Sequence, residues 1–219
     1  MEQSVAFLKK DRRFASVIKK HGSPELKRGR NVFQALVRSI MYQQVTGRAA
    51  ASILNKFVLL FPEKKFPEPK DVQKISVEKL RSAGLSGQKV SYVKDLAEKF
   101  LDGTIEEKKL SKMTNEKVIE HLVQVKGIGV WTAHMFLIFT LNRLNVLPTG
   151  DLGIQKGFKV LYKLREMPDH KKMEALAKPW REHASVASWY LWRVADEAKE
   201  RPEKIKTKIQ KREKREIKK

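Results

Sequence analysis

The sequence predicts an all-α protein built from short helices. Apolar residues recur at spacings of three and four along most of the chain, and no stretch alternates as a strand does. Gly, Pro and Ser separate these segments, and they are the residues that cap or end helices. With 219 residues, 41% of them hydrophobic, the chain is long enough for one domain or for two small lobes.

Nine segments have the helical period. They are residues 11–21, 32–45, 48–61, 77–83, 89–101, 116–125, 131–141, 153–164 and 184–200. Ser76 is expected to cap the start of its helix, and Gly84 is expected to end it. From residue 199 the sequence is charged and low in complexity, so we expect 199–219 to be a flexible basic tail.

The charge balance indicates a polyanionic partner. The net charge is +22, and because residues 199–219 hold 11 basic and 4 acidic residues, an excess of 15 positive charges remains in the body. Such a potential attracts nucleic acid, although an anionic membrane surface or simple solubility are alternatives.

Other classes are excluded or disfavoured by composition. The apolar runs are too short to span a bilayer, and the amino terminus lacks the apolar core of a secretory signal. The absence of cysteine excludes disulfides, thiolate zinc sites and iron–sulfur clusters. We therefore expect an intracellular protein without membrane association, in the cytoplasm or nucleoid, or in the nucleus of a eukaryote.

A glycine-rich hairpin stands between two predicted helices at Lys126-Gly127-Ile128-Gly129. The two glycines allow positive φ and close approach to a ligand, while Ile128 can anchor the hairpin in the core. Backbone amides at the start of the next helix can bind a phosphate. The alternative is an ordinary turn between helices.

Asp151 follows this hairpin and directly precedes another helical segment. An Asp at that position is most simply an N-cap. However, the order of hairpin, helix, loop ending in Asp and helix strongly resembles the helix–hairpin–helix (HhH-GPD) DNA glycosylase superfamily. It is most similar to the alkylpurine, or 3-methyladenine, glycosylases of the AlkA and Mag type.

Three further segments support the resemblance, which covers about residues 32 to 195. Residues 40–46 are similar to the family pattern I-x-x-Q-Q-x-S/T, and Gly84-Leu85-Ser86 with Lys89 and Tyr92 to G-L-S-x-x-K-x-x-Y. Residues 187–192 are similar to the last core helix of the family.

The resemblance implies a two-lobed helical fold. Residues 36–148 would form a six-helix bundle containing the hairpin, and residues 1–35 with 149–198 the second lobe. It also implies a monomer that binds double-stranded DNA and flips a damaged base out of the helix.

Site residues follow from the same resemblance. Asp151 would be the catalytic carboxylate, Trp131 and Trp192 would line the base pocket, and Gln44 would wedge into the base stack. The DNA backbone would be contacted by Thr46, Lys126, Gly127, Ile128 and Gly129. The backbone carbonyls of Val123, Val125 and Ile128 would hold a monovalent cation, and no other cofactor is expected.

Departures from the family pattern narrow the reaction. Members that also cleave the strand carry a Lys at the position of Trp131, so we expect a monofunctional enzyme that hydrolyses the N-glycosidic bond of 3-methyladenine or 7-methylguanine and leaves an abasic site. Lys126 stands where Pro is usual. Two alternatives remain: a non-catalytic DNA-binding protein in which Asp151 is only a cap, and a related glycosylase for mismatched or oxidised bases.

Overall fold

The computed structural model describes residues 1–26, 29 and 31–199, and the regular elements within these ranges are all helices. The chain divides into two compact units. The first contains Met1–Leu26 and the chain from Leu144 onward, and the second is Lys27–Arg143. The predicted basic tail, except for Lys199, lies outside the described residues.

Short helices follow one another along the described chain. In order they are α1 (Glu2–Leu8), α2 (Arg12–His21), α3 (Val32–Tyr42), α4 (Gly47–Leu59), α5 (Pro69–Lys74), α6 (Val77–Ser82), α7 (Gly87–Leu101), α8 (Glu107–Leu110), α9 (Asn115–Leu122), α10 (Val130–Phe139), α11 (Leu152–Leu161), α12 (His170–Ala177), a 3₁₀ helix (Lys178–His183) and α13, described over 184–199. No helix in the described part of the chain is both long and apolar enough to cross a membrane.

Most helices begin where a polar side chain accepts a hydrogen bond from the first turn. Ser76 caps α6 as predicted, through the amide of Lys79 at 3.3 Å. The C-terminal cap of the same helix, Ala83, directly precedes Gly84, which has φ +93°, a left-handed conformation that favours glycine. Gly84 was predicted to be the C-cap of this helix; the C-cap is instead Ala83, and Gly84 is the residue that follows it.

The predicted helices 32–45, 116–125 and 153–164 each extend three residues beyond the observed ends at Tyr42, Leu122 and Leu161, and four helices were missed. The predicted helix 32–45 ends at Tyr42, because Gln43 is extended and Gln44 has φ +56°. The missed helices α1, α5, α8 and α12 have four to eight residues each, too few to show a repeating apolar face. The predicted lobe boundary at 35/36 falls inside α3, which is continuous; the compact units divide at 26/27 and 143/144 instead.

The first unit packs around an aromatic cluster. Trp180 is buried, and its ring lies 5.6 Å from Phe14 and 5.8 Å from Phe158, measured between centroids. Tyr190 of α13 is fully buried and its hydroxyl donates to the carbonyl of Gly22 at 2.8 Å. These contacts tie α2, α11 and α13 into one core.

In the second unit, α7 packs against both α3 and α5, and α10 packs against α3 and α9. Leu36 and Ile40 of α3, Leu96 of α7 and Leu137 of α10 are fully buried. This packing fixes the end of α3 and the hairpin before α10 on one framework.

Helices α11 and α13 approach each other unusually closely. A Cβ placed on Gly157 would lie 2.4 Å from the carbonyl oxygen of Leu191, and one on Gly153 would lie 2.8 Å from the ring of Trp192. Two glycines four residues apart lie on the same face of a helix. That face of α11 therefore admits the backbone of α13 only because it lacks side chains.

We expect Gly157→Ala to lower the free energy of unfolding by about 2 kcal/mol, because the methyl group must displace the α13 backbone. Chemical denaturation measures this change. Gly47→Ala is the matched control, since a Cβ there meets nothing within 4 Å. An unchanged midpoint for Gly157→Ala would mean that the two helices are not in this close contact.

Candidate functional site

Asp151 is the N-cap of α11, as the simpler interpretation predicted. Its Oδ1 accepts hydrogen bonds from the amide of Ile154 at 2.9 Å and from the indole Nε1 of Trp192 at 2.8 Å. Hydrogen bonds to an ionised group are shorter and stronger than neutral ones. The carboxylate is thus fixed by its own helix and by a side chain of α13.

Gly153 makes the second of these hydrogen bonds possible. A Cβ at this position would lie 2.8 Å from Cδ1 of Trp192 and 3.0 Å from Oδ1 of Asp151. Any larger residue would therefore stand between the indole and the carboxylate. Trp192 was predicted to line a base pocket; the structure places its N–H on Asp151, and the contact with a base stays a prediction.

The segment before Asp151 is tied down at several points. The buried Ser185 of α13 accepts from the amide of Val146 at 3.1 Å, and its own amide donates to the carbonyl of Leu144 at 2.8 Å. Nearer the carboxylate, the Gln155 side chain donates to the carbonyl of Thr149 at 3.1 Å. Asp151 therefore sits at the end of a loop with little freedom to move.

In the second unit, the predicted hairpin is present between α9 and α10. Ile128 is buried, as predicted, and Gly127 has φ +79°. The ring of Tyr92 fills the space where a side chain at 127 would be, since a Cβ there would lie 2.2 Å from its Cδ2. Glycine is thus required at 127 for two reasons: the backbone has positive φ, and a side chain there would collide with Tyr92.

Two hairpin amides are used internally. The amide of Lys126 donates to the buried carboxylate of Asp95 at 2.8 Å, and that of Ile128 donates to the carbonyl of Val125 at 3.0 Å. Both amides are bonded within the chain, and the DNA contacts expected at Lys126 and Ile128 stay a prediction. The Lys126 ammonium lies 3.4 Å from Asp95 on a side chain that is 67% exposed.

Gly129 differs from the prediction. Its φ is −98°, so it needs no positive φ, and a Cβ there would meet nothing within 4 Å. It is the N-cap of α10, and within the described residues no side chain caps this helix. A helix start without a side-chain cap is the arrangement that suits an anion from outside the chain.

The turn from Gln43 to Thr46 joins α3 to α4. Gln44 is exposed and left-handed, a conformation that costs a non-glycine residue about 1 kcal/mol. Thr46 caps α4, with its hydroxyl accepting from the amide of Ala49 at 3.4 Å. The segment predicted to be a helix carrying Gln44 and Thr46 is thus a protruding turn.

Lys89 and Ser86 explain the second predicted motif. Ser86 caps α7, and the Lys89 ammonium donates to the carbonyl of Met41 at 2.7 Å, which caps the end of α3. Partial burial lowers the pKa of the Lys89 amine from its ordinary value. This motif therefore fixes the start of the protruding turn from inside the unit.

A cavity of about 1150 Å³ opens in the second unit, beside this turn and the hairpin. Trp131, in the first turn of α10, is 51% exposed and lines it with Tyr42 and Phe139. The guanidinium of Arg38 stacks on Tyr42 with 4.7 Å from Cζ to the ring centroid. The cavity has the aromatic surface expected of a base pocket, and Trp131 is on it.

The carbonyls proposed for a cation lie in one short turn. That of Val125 accepts the amide of Ile128 at 3.0 Å, which leaves one of its two lone pairs for a ligand. Val123 is the C-terminal cap of α9, so its carbonyl also belongs to this turn. The described residues contain no cluster of three or more His, Asp or Glu that could hold a metal ion.

An all-helical chain with an uncapped hairpin helix and a rigid, capped Asp has the parts of a helix–hairpin–helix base excision repair protein. Residues 37–182 match the HhH-GPD superfamily of base excision DNA repair proteins. The match spans well over half of the chain, so the protein belongs to this superfamily. The resemblance and the fold class predicted from the sequence are both confirmed.

Named relatives and solved structures agree with this assignment. The chain is 35% identical over 167 residues to DNA-3-methyladenine glycosylase 1 of Schizosaccharomyces pombe, covering 74% of this chain and 72% of the relative. A structure of the 3-methyladenine DNA glycosylase of that organism with abasic DNA superposes with a TM-score of 0.75 at 32% identity, over 87% and 95% of the two chains. A DNA-3-methyladenine glycosidase from Bacillus halodurans gives a TM-score of 0.76 at 37% identity, over 86% and 87%.

Gly153→Ala tests the hold on Asp151 directly. We expect the added methyl group to push the Trp192 indole off the carboxylate, so that its N–H exchanges with solvent about tenfold faster or more, as loss of a charged hydrogen bond predicts. Nuclear magnetic resonance resolves the four indole N–H groups, and Trp192→Phe identifies the relevant signal. Gly150→Ala, where a Cβ meets nothing within 4 Å, should leave that signal unchanged. Equal exchange rates in both variants would contradict this geometry.

Proposed function

We propose that the protein is a monofunctional DNA glycosylase of base excision repair. It hydrolyses the N-glycosidic bond of alkylated purines, 3-methyladenine and 7-methylguanine, after they are flipped out of duplex DNA, and it leaves an abasic site. The observation that carries the proposal is a carboxylate held on one oxygen by two donors, from Ile154 and Trp192, in a chain of this superfamily.

The proposed chemistry needs one well-placed negative charge. An alkylated purine carries a positive charge, so it leaves with the bonding electrons of the glycosidic bond and becomes neutral. The sugar then gains positive charge, which the Asp151 carboxylate stabilises electrostatically. Water attacks C1′ of the sugar, and Asp151 orients it and accepts its proton.

The residue at position 131 supports hydrolysis by water. A glycosylase that also cleaves the strand uses an amine to attack the sugar. Trp131 has no amine, and its ring instead lines the cavity in the second unit. An exposed aromatic face of this kind can stack on a purine and attract its positive charge.

DNA is held through the hairpin and opened by the turn before α4. The uncapped amides at the start of α10 bind a phosphate, with Lys126 adding a nearby positive charge. Gln44 fills the space that the extruded base leaves, and Thr46 contacts the backbone. A monovalent cation at the carbonyls of Val123, Val125 and Ile128 would offset phosphate charge.

We propose that the protein acts as a monomer on double-stranded DNA. It would work wherever genomic DNA is kept, in the cytoplasm or nucleoid, or in the nucleus of a eukaryotic cell. No cofactor takes part in the proposed hydrolysis.

Asp151→Asn separates catalysis from binding. The Asn side chain keeps an oxygen to accept from Ile154 and Trp192, so the fold should be retained, but the charge is lost. We expect release of 3-methyladenine and 7-methylguanine from methylated duplex DNA to fall by about 100-fold or more. Free bases are measured by chromatography, and DNA affinity, measured in parallel, should change by less than about threefold.

The same experiment discriminates between the proposed functions. Release at the wild-type rate by Asp151→Asn would remove Asp151 from the chemistry. A wild-type protein that binds duplex DNA but releases no base would favour a non-catalytic binding protein with Asp151 only as a cap. Release of oxidised or mismatched bases alone would favour the other branch of the superfamily.

Binding to undamaged duplex DNA should weaken steeply with salt. Neutralising only two phosphates predicts a loss of about tenfold in affinity between about 50 mM and about 200 mM monovalent salt. Fluorescence anisotropy measures the slope, and Lys126→Gln should reduce it by about one contact. Affinity that does not change with salt would contradict phosphate binding.

A further inference from the structure

One side chain connects the protruding turn to the hairpin. The Gln43 side chain donates from Nε2 to the carbonyl oxygen of Gly127 at 2.8 Å, and this contact is partly buried. The two residues are 84 positions apart in the sequence. The turn that presents Gln44 is therefore joined directly to the hairpin that is proposed to bind phosphate.

The peptide group that accepts this hydrogen bond is itself fixed. Its N–H, that of Ile128, donates to the carbonyl of Val125 at 3.0 Å. Tyr92 packs on Gly127 from α7, and the preceding amide of Lys126 is held by the buried Asp95 at 2.8 Å. The Gly127 carbonyl is thus a rigid anchor rather than part of a mobile loop.

The turn needs such an anchor. Lys89 fixes its start through the carbonyl of Met41, and Thr46 fixes its end as the cap of α4. Between them Gln44 has φ +56°, a conformation that residues other than glycine rarely adopt. A strained residue persists only where its surroundings impose the conformation. The hydrogen bond from the Gln43 side chain to the hairpin supplies a constraint of this kind, because it holds the residue next to Gln44 in place.

We propose that Gln43 is a positioning residue for base extrusion, which holds Gln44 in its strained conformation at a fixed place relative to the hairpin. This inference rests on the proposed glycosylase function. In this proposal Gln43 acts through Gln44 and not on the sugar or the reacting base, although its side chain also lines the cavity beside Trp131. Its role is to keep a fixed distance between the hairpin, which binds phosphate, and Gln44, which enters the base stack, so that both can act on the same DNA.

The test is a double-mutant cycle with Gln43→Met, Gln44→Ala and the double variant. Methionine keeps the length of the side chain but cannot donate to Gly127. We expect Gln43→Met to slow release of 3-methyladenine from duplex DNA by about fivefold to tenfold, as loss of one hydrogen bond predicts. Release from a single strand, which needs no wedge, should change by less than about twofold.

Non-additivity is the decisive result. If Gln43 acts only through Gln44, the double variant should be no slower on duplex DNA than Gln44→Ala alone. Multiplied losses would overturn the proposal, as would equal slowing on duplex and single strand. Fluorescence of 2-aminopurine placed beside the lesion should show reduced base extrusion in Gln43→Met under the same conditions.

Controls keep folding and function separate. Gln43→Glu places an acceptor where the donor was, and it should reproduce Gln43→Met, so a defect in only one of them would overturn the proposal. Gln34→Met makes the same exchange at an exposed position of α3 and should behave as wild type, with thermal melting recorded for each variant. A wild-type protein that releases no base would overturn the proposed function and this inference together. An active wild type with additive losses would overturn the inference alone.

Discussion

The proposed chemistry depends on the hydrogen bond from the indole of Trp192 to the carboxylate of Asp151. This bond exists because α11 presents glycine at 153 and 157 to α13, and the two backbones come close. The amide of Ile154 then binds the same oxygen from within α11. A charge that is already oriented needs no rearrangement when the sugar becomes positive, and this saves the free energy that water would need for reorganisation.

The cap and the catalytic role are therefore compatible. An N-cap must lie at the start of a helix with its oxygen near the first amides, which restricts the position of the Asp151 side chain. Ser185 and Gln155 stabilise the loop before it. The same interactions that stabilise the fold thus hold the group that would do the chemistry.

In the proposed function, the second unit would bind a charged and regular polymer without reading its sequence. The start of α10, which no described side chain caps, would offer amides to phosphate, and the exposed turn would offer a side chain to the base stack. Three residues of α7 contact these two features. Tyr92 and Asp95 contact the hairpin, and Lys89 binds the end of α3 where the turn begins. One helix therefore organises two surface features that lie 84 residues apart in the sequence.

Sequence reasoning predicted the helical class, the family and the hairpin, because glycine spacing and apolar period are local properties. It predicted the cap at Ser76 and the buried Ile128 for the same reason. It did not predict that α3 ends at Tyr42, because Gln43, Gln44 and Val45 are all residues that a helix can contain. The Gln43 side chain is bound instead by a carbonyl far away in the sequence, at Gly127.

Other misses have the same origin. Gly153 looked like an ordinary helix residue, and only the position of Trp192 shows why a side chain is not tolerated there. Gly129 was predicted to allow positive φ, whereas its φ is −98° and a Cβ at this position would meet nothing within 4 Å. The motif D-L-G after a loop, with tryptophan on a later helix, is a signal that could have indicated the first of these contacts.

The bare start of α10 has a consequence for the free protein. A Ser or Asp at position 129 could cap the first amides with its own side chain and stabilise the helix by roughly a few tenths of a kcal/mol relative to glycine. Glycine forgoes that gain, and within the described residues no side chain caps α10. Selection for thermal stability alone would be expected to place a capping residue at position 129. Its side chain would then compete with phosphate for the backbone amides at the start of α10.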